Sequence, residues 1–164
     1  MANDPLTIRP ATSTDRAAVA RIADPVQDDH ARALPARFRP AVSPLPMEHF
    51  HQLLTSRISG ILVAEAGGDI VGFVVLRVTD ASPIPVYQPR RVAFIDMIAV
   101  DQTCRGQGIG KALMEAAMEW GRERSADELE LSVHEFNTSA IAFYEHLGLR
   151  TVLRRMSVPL HLAD

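Results

Sequence analysis

The sequence has a single cysteine, Cys104, among its 164 residues. One cysteine cannot form an intrachain disulfide, and no Cys/His pattern has zinc-ligand spacing, so we expect no bound metal. No apolar run is long enough to cross a bilayer, and the N-terminal MANDPLTIRP has neither the apolar core nor the cleavage site of a signal peptide. We therefore expect a cytoplasmic protein with no membrane partner.

A basic surface is also lacking. The chain has 17 Lys and Arg against 20 Asp and Glu, a net charge of −3, whereas nucleic-acid binders usually carry a positive face. We therefore expect no nucleic-acid partner. The sequence does have an apolar fraction of 47% and a charged fraction of 23%, which are typical of a globular protein with a core. Its length suits one domain over residues 1–164.

The apolar periodicity predicts the order β-α-α-β-β-β-α-β-α-β. The predicted strands are 6–9, 61–66, 70–78, 92–100, 129–133 and 149–158, with Gly67-Gly68-Asp69 as the turn between the second and the third. The predicted helices run from Thr12-x-x-Asp15 to about residue 23, from Pro46 onward, from the glycine stretch after residue 100 to about Arg124, and from Thr138 to Leu147, where Gly148 ends the last one. Residues 24–46 hold five prolines, with a short helix within 28–34 as their only predicted element. We expect an α/β (α+β) fold in which one mixed sheet carries helices on its faces.

Three glycines crowd the stretch CRGQGIGKAL (104–113), which lies between the predicted strand 92–100 and the helix that follows it. The first amides of a helix have no intrahelical partner, and the helix dipole favours negative charge there. Glycines let these amides approach an anion without a Cβ in the way. Arg105 and Lys111 add positive charge, so the stretch predicts a phosphate site.

Two familiar phosphate loops do not fit this stretch. The Walker loop needs a glycine where Arg105 stands and Ser or Thr where Ala112 stands. The dinucleotide fingerprint needs a glycine at the position of Lys111. A tight turn without a ligand remains the alternative.

A third loop does fit. Arg105-x-x-Gly108-x-Gly110 resembles the R/Q-x-x-G-x-G/A pyrophosphate loop of the GNAT superfamily, the acetyl-CoA-dependent N-acetyltransferases. NTSAIAFYEHLGL (137–149) resembles that family's N-x-x-A-x-x-F-Y-x-x-x-G-F pattern, with Leu149 where the family usually has Phe. The resemblance covers about residues 92–149.

The resemblance implies transfer of an acetyl group from acetyl-CoA to a primary amine of a small molecule or peptide by direct attack. It also implies a splayed central strand pair and allows a homodimer. The implied cofactor contacts are the backbone of Ile98, Ala99 and Val100 for the pantetheine arm, the loop residues Arg105, Gly106, Gln107, Gly108, Ile109, Gly110 and Lys111 for the pyrophosphate, and Asn137 and Tyr144 beside the arm. Asn137 could instead be a plain helix cap, and Tyr144 could only pack.

Two side chains are the implied catalytic groups. Tyr144 matches the tyrosine that often serves as general acid at the cofactor sulfur, and Asp96, which interrupts the apolar strand VAFIDMIAV, is the candidate base for the amine. The alternative for Asp96 is a structural carboxylate paired with an arginine. Glu135, His134 and His30 are weaker base candidates.

No motif in the sequence identifies the acceptor, and we expect the residues that contact it to lie within 24–60 and 79–91. A second function, a non-catalytic module that binds and senses acyl-CoA, stays open beside the enzyme. Asp96 and Tyr144 favour the enzyme.

Overall fold

The computed structural model describes residues 5–40 and 42–160. The chain divides into two compact units, Met1–Ser132 and Val133–Asp164. The expected single N-acetyltransferase domain over 1–164 stays a prediction.

The first unit is built on a five-stranded sheet with the order β1-β2-β3-β4-β5. Neighbouring strands are antiparallel except β4 and β5, which are parallel. The elements of this unit are β1 (Thr7–Pro10), α1 (Arg16–Ala33), α2 (Met47–Thr55), β2 (Ser59–Ala66), β3 (Asp69–Asp80), β4 (Arg91–Val100), α3 (Ile109–Arg122) and β5 (Glu128–Leu131). The second unit holds α4 (Thr138–His146). The predicted mixed sheet with helices is confirmed.

The predicted hairpin is formed by β2 and β3. Its two turn residues, Gly67 and Gly68, have φ values of 60° and 81°. A two-residue turn with positive φ at both positions matches the right-handed twist of the flanking strands. The turn sets the pairing of Ala66 with Asp69, and a bulge beyond Glu65 then shifts the register to the one that places Val63 opposite Phe73.

The helices of the first unit cover both faces of the sheet. Phe73 and Val75 of β3 are buried in one cluster with residues of α1 and α2. A Cβ on Gly72 would lie 3.0 Å from Leu113 Cδ1 and 3.2 Å from Ile109 Cγ2, so α3 packs on the opposite face. The glycine permits this close approach, which positions the first turn of α3 against the sheet.

Strands β4 and β5 are paired over only part of their length. Val92–Ile95 pairs with Glu128–Leu131, whereas β4 continues to Val100. From Asp96 onward, β4 is paired with β3 alone within the described part of the first unit. The pairing thus ends midway along β4 and leaves an open edge, and the splay of the central strand pair implied by the resemblance stays a prediction.

The prediction that the first helix ends near residue 23 is wrong, and so is the separate short helix within 28–34. One helix, α1, continues through Pro25 to Ala33. Its apolar stripe runs on past the proline, because Val26 packs against the same cluster as Ile22 and Ala31 is 5% exposed. This burial favours continuation of the helix and opposes the cost of a proline inside it, about 3 kcal/mol.

The predicted final strand is also wrong. No strand is formed at 149–158 in the part of the chain that the structure describes. The side chains of this segment are exposed, with Val152 at 80% and Met156 at 86%. The apolar residues of this segment therefore have no buried face to occupy. A strand also needs a neighbouring strand, and this segment belongs to no strand pair among the described residues.

An ion pair between the buried Asp15 and the partly exposed Arg9 holds the start of α1. Asp15 is 6% exposed and accepts hydrogen bonds from Arg9 Nη1 (2.8 Å), Arg9 Nη2 (3.0 Å) and the Thr12 amide (2.7 Å). Arg9 first, and the Thr12 groups with it, lower the pKa of Asp15 to about 2. The predicted Thr12-x-x-Asp15 helix start is confirmed.

Candidate functional site

The candidate loop begins where β4 ends. The Asp101 amide donates to Val71 O (2.8 Å), and the Cys104 amide donates to Asp101 O (2.9 Å). The Asp101 carboxylate accepts from the amide (3.0 Å) and the hydroxyl (2.7 Å) of Thr103. These bonds hold residues Gln102–Cys104 in a single 3₁₀ turn before the glycines.

Asp101 also ties the loop to the rest of the first unit. Its carboxylate pairs with Arg21 of α1, and Arg21 Nη2 donates to Ile70 O at 3.1 Å. The Thr103 hydroxyl first, and then Arg21, lower the pKa of Asp101 to about 2, so its carboxylate is ionised at neutral pH. Asp101 was not among the site residues predicted from the sequence. Its one signal was its place directly after a buried strand, and its partner lies 80 residues earlier.

The glycines adopt backbone angles that other residues rarely adopt. Gly106 has φ 77° and Gly108 has φ 80°. A Cβ at either position would meet no protein atom within 4 Å, so the left-handed backbone rather than crowding by the protein demands glycine. The space outside both positions is open to a ligand.

The loop leads directly into the N-terminus of α3, a helix of 14 residues. Gly108 is its cap residue, and the first intrahelical bond runs from the Ala112 amide to Gly108 O at 3.0 Å. The amides of Ile109, Gly110 and Lys111 therefore precede the intrahelical ladder. Such a turn favours a phosphate or carboxylate, as the sequence predicted.

The two predicted cations flank this turn and are exposed. Arg105 comes directly before Gly106, and the Lys111 ammonium lies 3.8 Å from Glu115 Oε1 with its side chain 65% exposed. An exposed i,i+4 pair of this kind is weak, about 0.3–0.5 kcal/mol, so Lys111 can leave Glu115 for an anion at little cost.

The open edge of β4 holds the other predicted contacts of the first unit. Ile98 pairs with Val74 and Val100 pairs with Gly72 on the β3 side, and Ala99 is buried. Along the opposite edge the strand has no β5 partner among the described residues of this unit. Its outward backbone groups can hydrogen-bond an extended ligand in the manner of an added strand.

Asp96 lies where this open edge begins. Val75 pairs with Met97 and Leu76 pairs with Ile95, so Asp96 is the extra residue of a β-bulge. Its Oδ1 accepts from Arg77 Nε at 2.9 Å, and its side chain is 37% exposed. The structure thus places Asp96 at the expected point of the strand and also gives it the arginine partner of the structural alternative.

The second unit holds the other predicted residues. Asn137 caps α4, because its Oδ1 accepts from the Ala140 amide at 3.3 Å. The Tyr144 ring lies 5.4 Å from that of Phe143, centroid to centroid, and burial raises the pKa of Tyr144 above its usual 10. The weaker candidate Glu135 lies 3.6 Å from Arg154 Nε and is exposed. The position of Asn137 and Tyr144 beside the cofactor stays a prediction.

The described ranges, 5–40 and 42–160, hold neither a cluster of metal-ligating side chains nor a membrane-spanning helix. They contain no group of three or more His, Cys, Asp or Glu side chains that could hold a metal ion. They also contain no helix with the length and apolarity needed to cross a membrane.

Comparison with known proteins gives clear relatives. An uncharacterised N-acetyltransferase of Methanocaldococcus jannaschii is 39% identical over 100 residues, which cover 61% of this chain and 43% of that protein. An uncharacterised N-acetyltransferase of Archaeoglobus fulgidus is 36% identical over 102 residues, which cover 62% of this chain and 67% of that protein. The match thus spans less than half of the first relative and about two thirds of the second.

Solved structures share the fold. A mutant of the BH1408 protein from Bacillus halodurans matches with a TM-score of 0.90 and 32% identity, covering 94% of this chain and 99% of that one. The aminoglycoside N-acetyltransferase AAC(6′)-Iy in complex with CoA matches with a TM-score of 0.71 and 17% identity, covering 99% and 98%. The sequence model described as the acetyltransferase (GNAT) family matches residues 25–149. The chain therefore belongs to the acetyltransferase (GNAT) family.

Proposed function

We propose that this protein transfers an acetyl group from acetyl-CoA to a primary amine of a small molecule or peptide. The observation that carries the proposal is the loop after β4, with Gly106 and Gly108 in the left-handed region directly before α3. In a chain of the GNAT family, an anion site at this junction suits the pyrophosphate of CoA.

The first unit offers acetyl-CoA two adjoining kinds of contact. The amides from Gly106 to Lys111 would hold the pyrophosphate, and Arg105 and Lys111 would neutralise part of its charge. The pantetheine arm would pair with the open edge of β4 at Ile98–Val100. Both contacts would be made by backbone groups, so neither needs a particular side chain at Gln107, Ile109 or Ala99.

The transfer would proceed without an acyl-enzyme. The neutral amine nitrogen attacks the thioester carbonyl carbon, a β4 amide stabilises the oxyanion, and the carbon–sulfur bond then breaks to release CoA thiol. Tyr144 would donate to the leaving sulfur, and Asp96 would accept the proton lost by the amine, directly or through one water. Asn137 would contribute near the arm in addition to its observed cap.

One observation favours the alternative, a module that binds acyl-CoA without turnover. Asp96 already shares a hydrogen bond with Arg77, so its carboxylate has a structural partner. A sensor would keep the glycine loop and need no base. Homodimerisation and a cytoplasmic location stay predictions under either function.

Thiol release from acetyl-CoA in the presence of a panel of amines separates the two functions. The panel should span polyamines, aminoglycosides, α-amino acids and peptides with free N-termini. We expect acceptor-dependent release well above the rate of hydrolysis for at least one class. Tight acetyl-CoA binding with no acceptor-dependent release across the panel would favour the sensor.

A further inference from the structure

Arg77 of β3 and Asp96 of β4 form an ion pair on the face of the sheet that carries α1 and α2. Side chains alternate along a strand, and Phe73 and Val75, four and two residues before Arg77, are buried among residues of those helices. Phe94 is the cross-strand partner of Arg77. The pair therefore lies beyond the buried cluster, on the face of α1 and α2, where β4 begins its open edge.

The guanidinium of Arg77 is held in place by two contacts. Its Nε donates to Asp96 Oδ1 at 2.9 Å, and its Cζ lies 4.5 Å from the centre of the Phe94 ring. A cation stacked on an aromatic face and hydrogen-bonded at one edge has little freedom to reorient. Asp96 is the extra residue of the bulge in β4, and its carboxylate accepts this hydrogen bond from Arg77.

Both partners keep hydrogen-bonding capacity for a ligand. Within the described ranges, the two Nη groups of Arg77 and the Oδ2 atom of Asp96 make no hydrogen bond. The two side chains are 38% and 37% exposed. The site therefore offers a donor fork that suits a carboxylate, next to an acceptor oxygen that suits an ammonium or amine.

We infer that the acceptor is an α-amino acid, whose carboxylate is bound by Arg77 while its amine lies against Asp96. The inference rests on the proposed function, because it names the substrate of that same site. An α-amino acid carries an amine and a carboxylate on one carbon, which matches a cation and an anion joined by a single hydrogen bond. A polyamine or aminoglycoside would instead bring a second cation beside Arg77, and like charges at short range repel.

The test compares α-amino acids with their C-terminal amides as acceptors in thiol release from acetyl-CoA. The amide keeps the amine and side chain but removes the charge that Arg77 would bind. We expect Arg77→Gln to lower the acid-to-amide ratio of kcat/KM by at least about tenfold, the loss of a charge-assisted fork. The amine of the acid is more basic than that of the amide, so loss of base function at Asp96 could by itself change the ratio at neutral pH. The ratio is therefore also measured above the pKa of both amines, where both are neutral and a fall in the ratio reports the carboxylate contact alone.

Two further variants make the comparison specific. Arg122→Gln breaks another surface pair, with Glu119 at 3.0 Å on α3, and should leave the ratio as in the wild type. Arg77→Lys keeps the charge without the fork, so its ratio should fall between those of the wild type and Arg77→Gln. Thermal melting followed by circular dichroism verifies that each variant is folded.

The outcomes separate this inference from the proposed function. An equal loss for acid and amide in Arg77→Gln would overturn the inference, because Arg77 would then only support Asp96. Acetyl transfer to amines without a carboxylate, with no α-amino acid accepted, would also overturn it while leaving the proposed function intact. Failure of acetyl-CoA to bind the wild-type protein would overturn both.

Discussion

At the scale of single residues, the raised pKa of Tyr144 limits the role that its hydroxyl can have in the transfer. Burial raises the pKa of Tyr144 above 10, so the phenol stays protonated across the neutral range. A thiol has a reference pKa near 8.5, and complete proton transfer from the phenol to a free thiolate is therefore uphill by at least roughly 2 kcal/mol. We expect Tyr144 to act by stabilising charge as it develops on the leaving sulfur.

Tyr144→Phe keeps the ring and removes only this hydroxyl. We expect kcat to fall by about 10²–10⁴-fold, the range of general-acid roles, with a much smaller change in acetyl-CoA affinity. Steady-state kinetics and calorimetry measure the two effects separately. Thr151→Val is the control, since it also removes one hydroxyl with little change of shape and lies at an exposed position of the same compact unit. Near wild-type turnover in Tyr144→Phe would reduce that residue to packing.

Asp96 is tested by the pH dependence of its amide variant. Asp96→Asn nearly keeps the shape and removes the base, so it should lower kcat/KM most at neutral pH. An alkylamine with a pKa near 10.4 costs about 4.6 kcal/mol to deprotonate at pH 7, and an α-amine of a peptide near 7.8 only about 1 kcal/mol. Raising the pH should recover the variant, since hydroxide in solvent then removes the proton, and the recovery should be larger for an alkylamine.

The control for Asp96 is Glu119→Gln. Glu119 also pairs with an arginine, its carboxylate lying 3.0 Å from Arg122 Nη1, but it is 63% exposed on α3 and lies outside the predicted site. We expect it to leave the pH–rate profile unchanged. A loss in Asp96→Asn that high pH does not recover would return Asp96 to a structural role with Arg77, and the base would then be sought at Glu135, His134 or His30.

Asp15 makes a prediction about stability rather than activity. Its pKa is about 2 in the folded chain against 3.8 as the reference value, so the native state favours the charged form. The stabilisation is present above pH 4 and is lost as the pH falls towards 2, and it amounts to about 2 kcal/mol at neutral pH. Denaturant unfolding of wild type and Asp15→Asn should show a difference that shrinks across that window.

The control for Asp15 is Asp29→Asn. Asp29 pairs with Arg32 on the exposed side of α1, and a surface pair of this kind contributes little. A stability difference for Asp15→Asn that does not change between pH 4 and pH 2 would show that the ion pair with Arg9 is not its source.

At the scale of elements, the sequence was most informative where one local rule decides the structure. The Gly67-Gly68 turn, the strand at 92–100 and the end of α4 at Gly148 each follow from backbone angles or from side-chain alternation. The continuation of α1 through Pro25 could not be predicted in this way. It depends on the packing of Val26 and Ala31, which is a property of the assembled core.

The same division holds for the elements of the candidate site. The glycine loop could be predicted from the sequence, because a left-handed backbone favours glycine at positions 106 and 108. The ion pair of Asp101 with Arg21, which holds that loop, could not be predicted, because the two residues are distant in sequence and only the fold brings them together. The bulge at Asp96 depends on the register between β3 and β4. No sequence pattern in either strand predicts that register.

At the scale of the whole molecule, the two motifs that carry the family resemblance lie in different compact units. The glycine loop belongs to the first unit, and the segment 137–149 with Asn137 and Tyr144 belongs to the second. The acceptor class is carried by neither motif. We propose that it depends on Arg77, which lies in a third stretch of the chain, outside the residues 24–60 and 79–91 where the sequence predicted the acceptor contacts.

The central claim is that acetyl-CoA binds at the loop between β4 and α3, and calorimetric titration of Gly108→Val tests it most directly. Valine places a branched side chain in the open space beside the first α3 amides and is strained at φ 80°. Gly68→Val is the matched control, because Gly68 has φ 81° and equally open surroundings in the hairpin turn. The two variants should therefore show similar backbone strain.

We expect Gly108→Val to weaken acetyl-CoA binding by at least tenfold, about 1.4 kcal/mol, while Gly68→Val binds as the wild type does. Circular dichroism establishes that both variants are folded before titration. Unchanged acetyl-CoA affinity in a folded Gly108→Val protein would contradict the assignment of the loop as the pyrophosphate site.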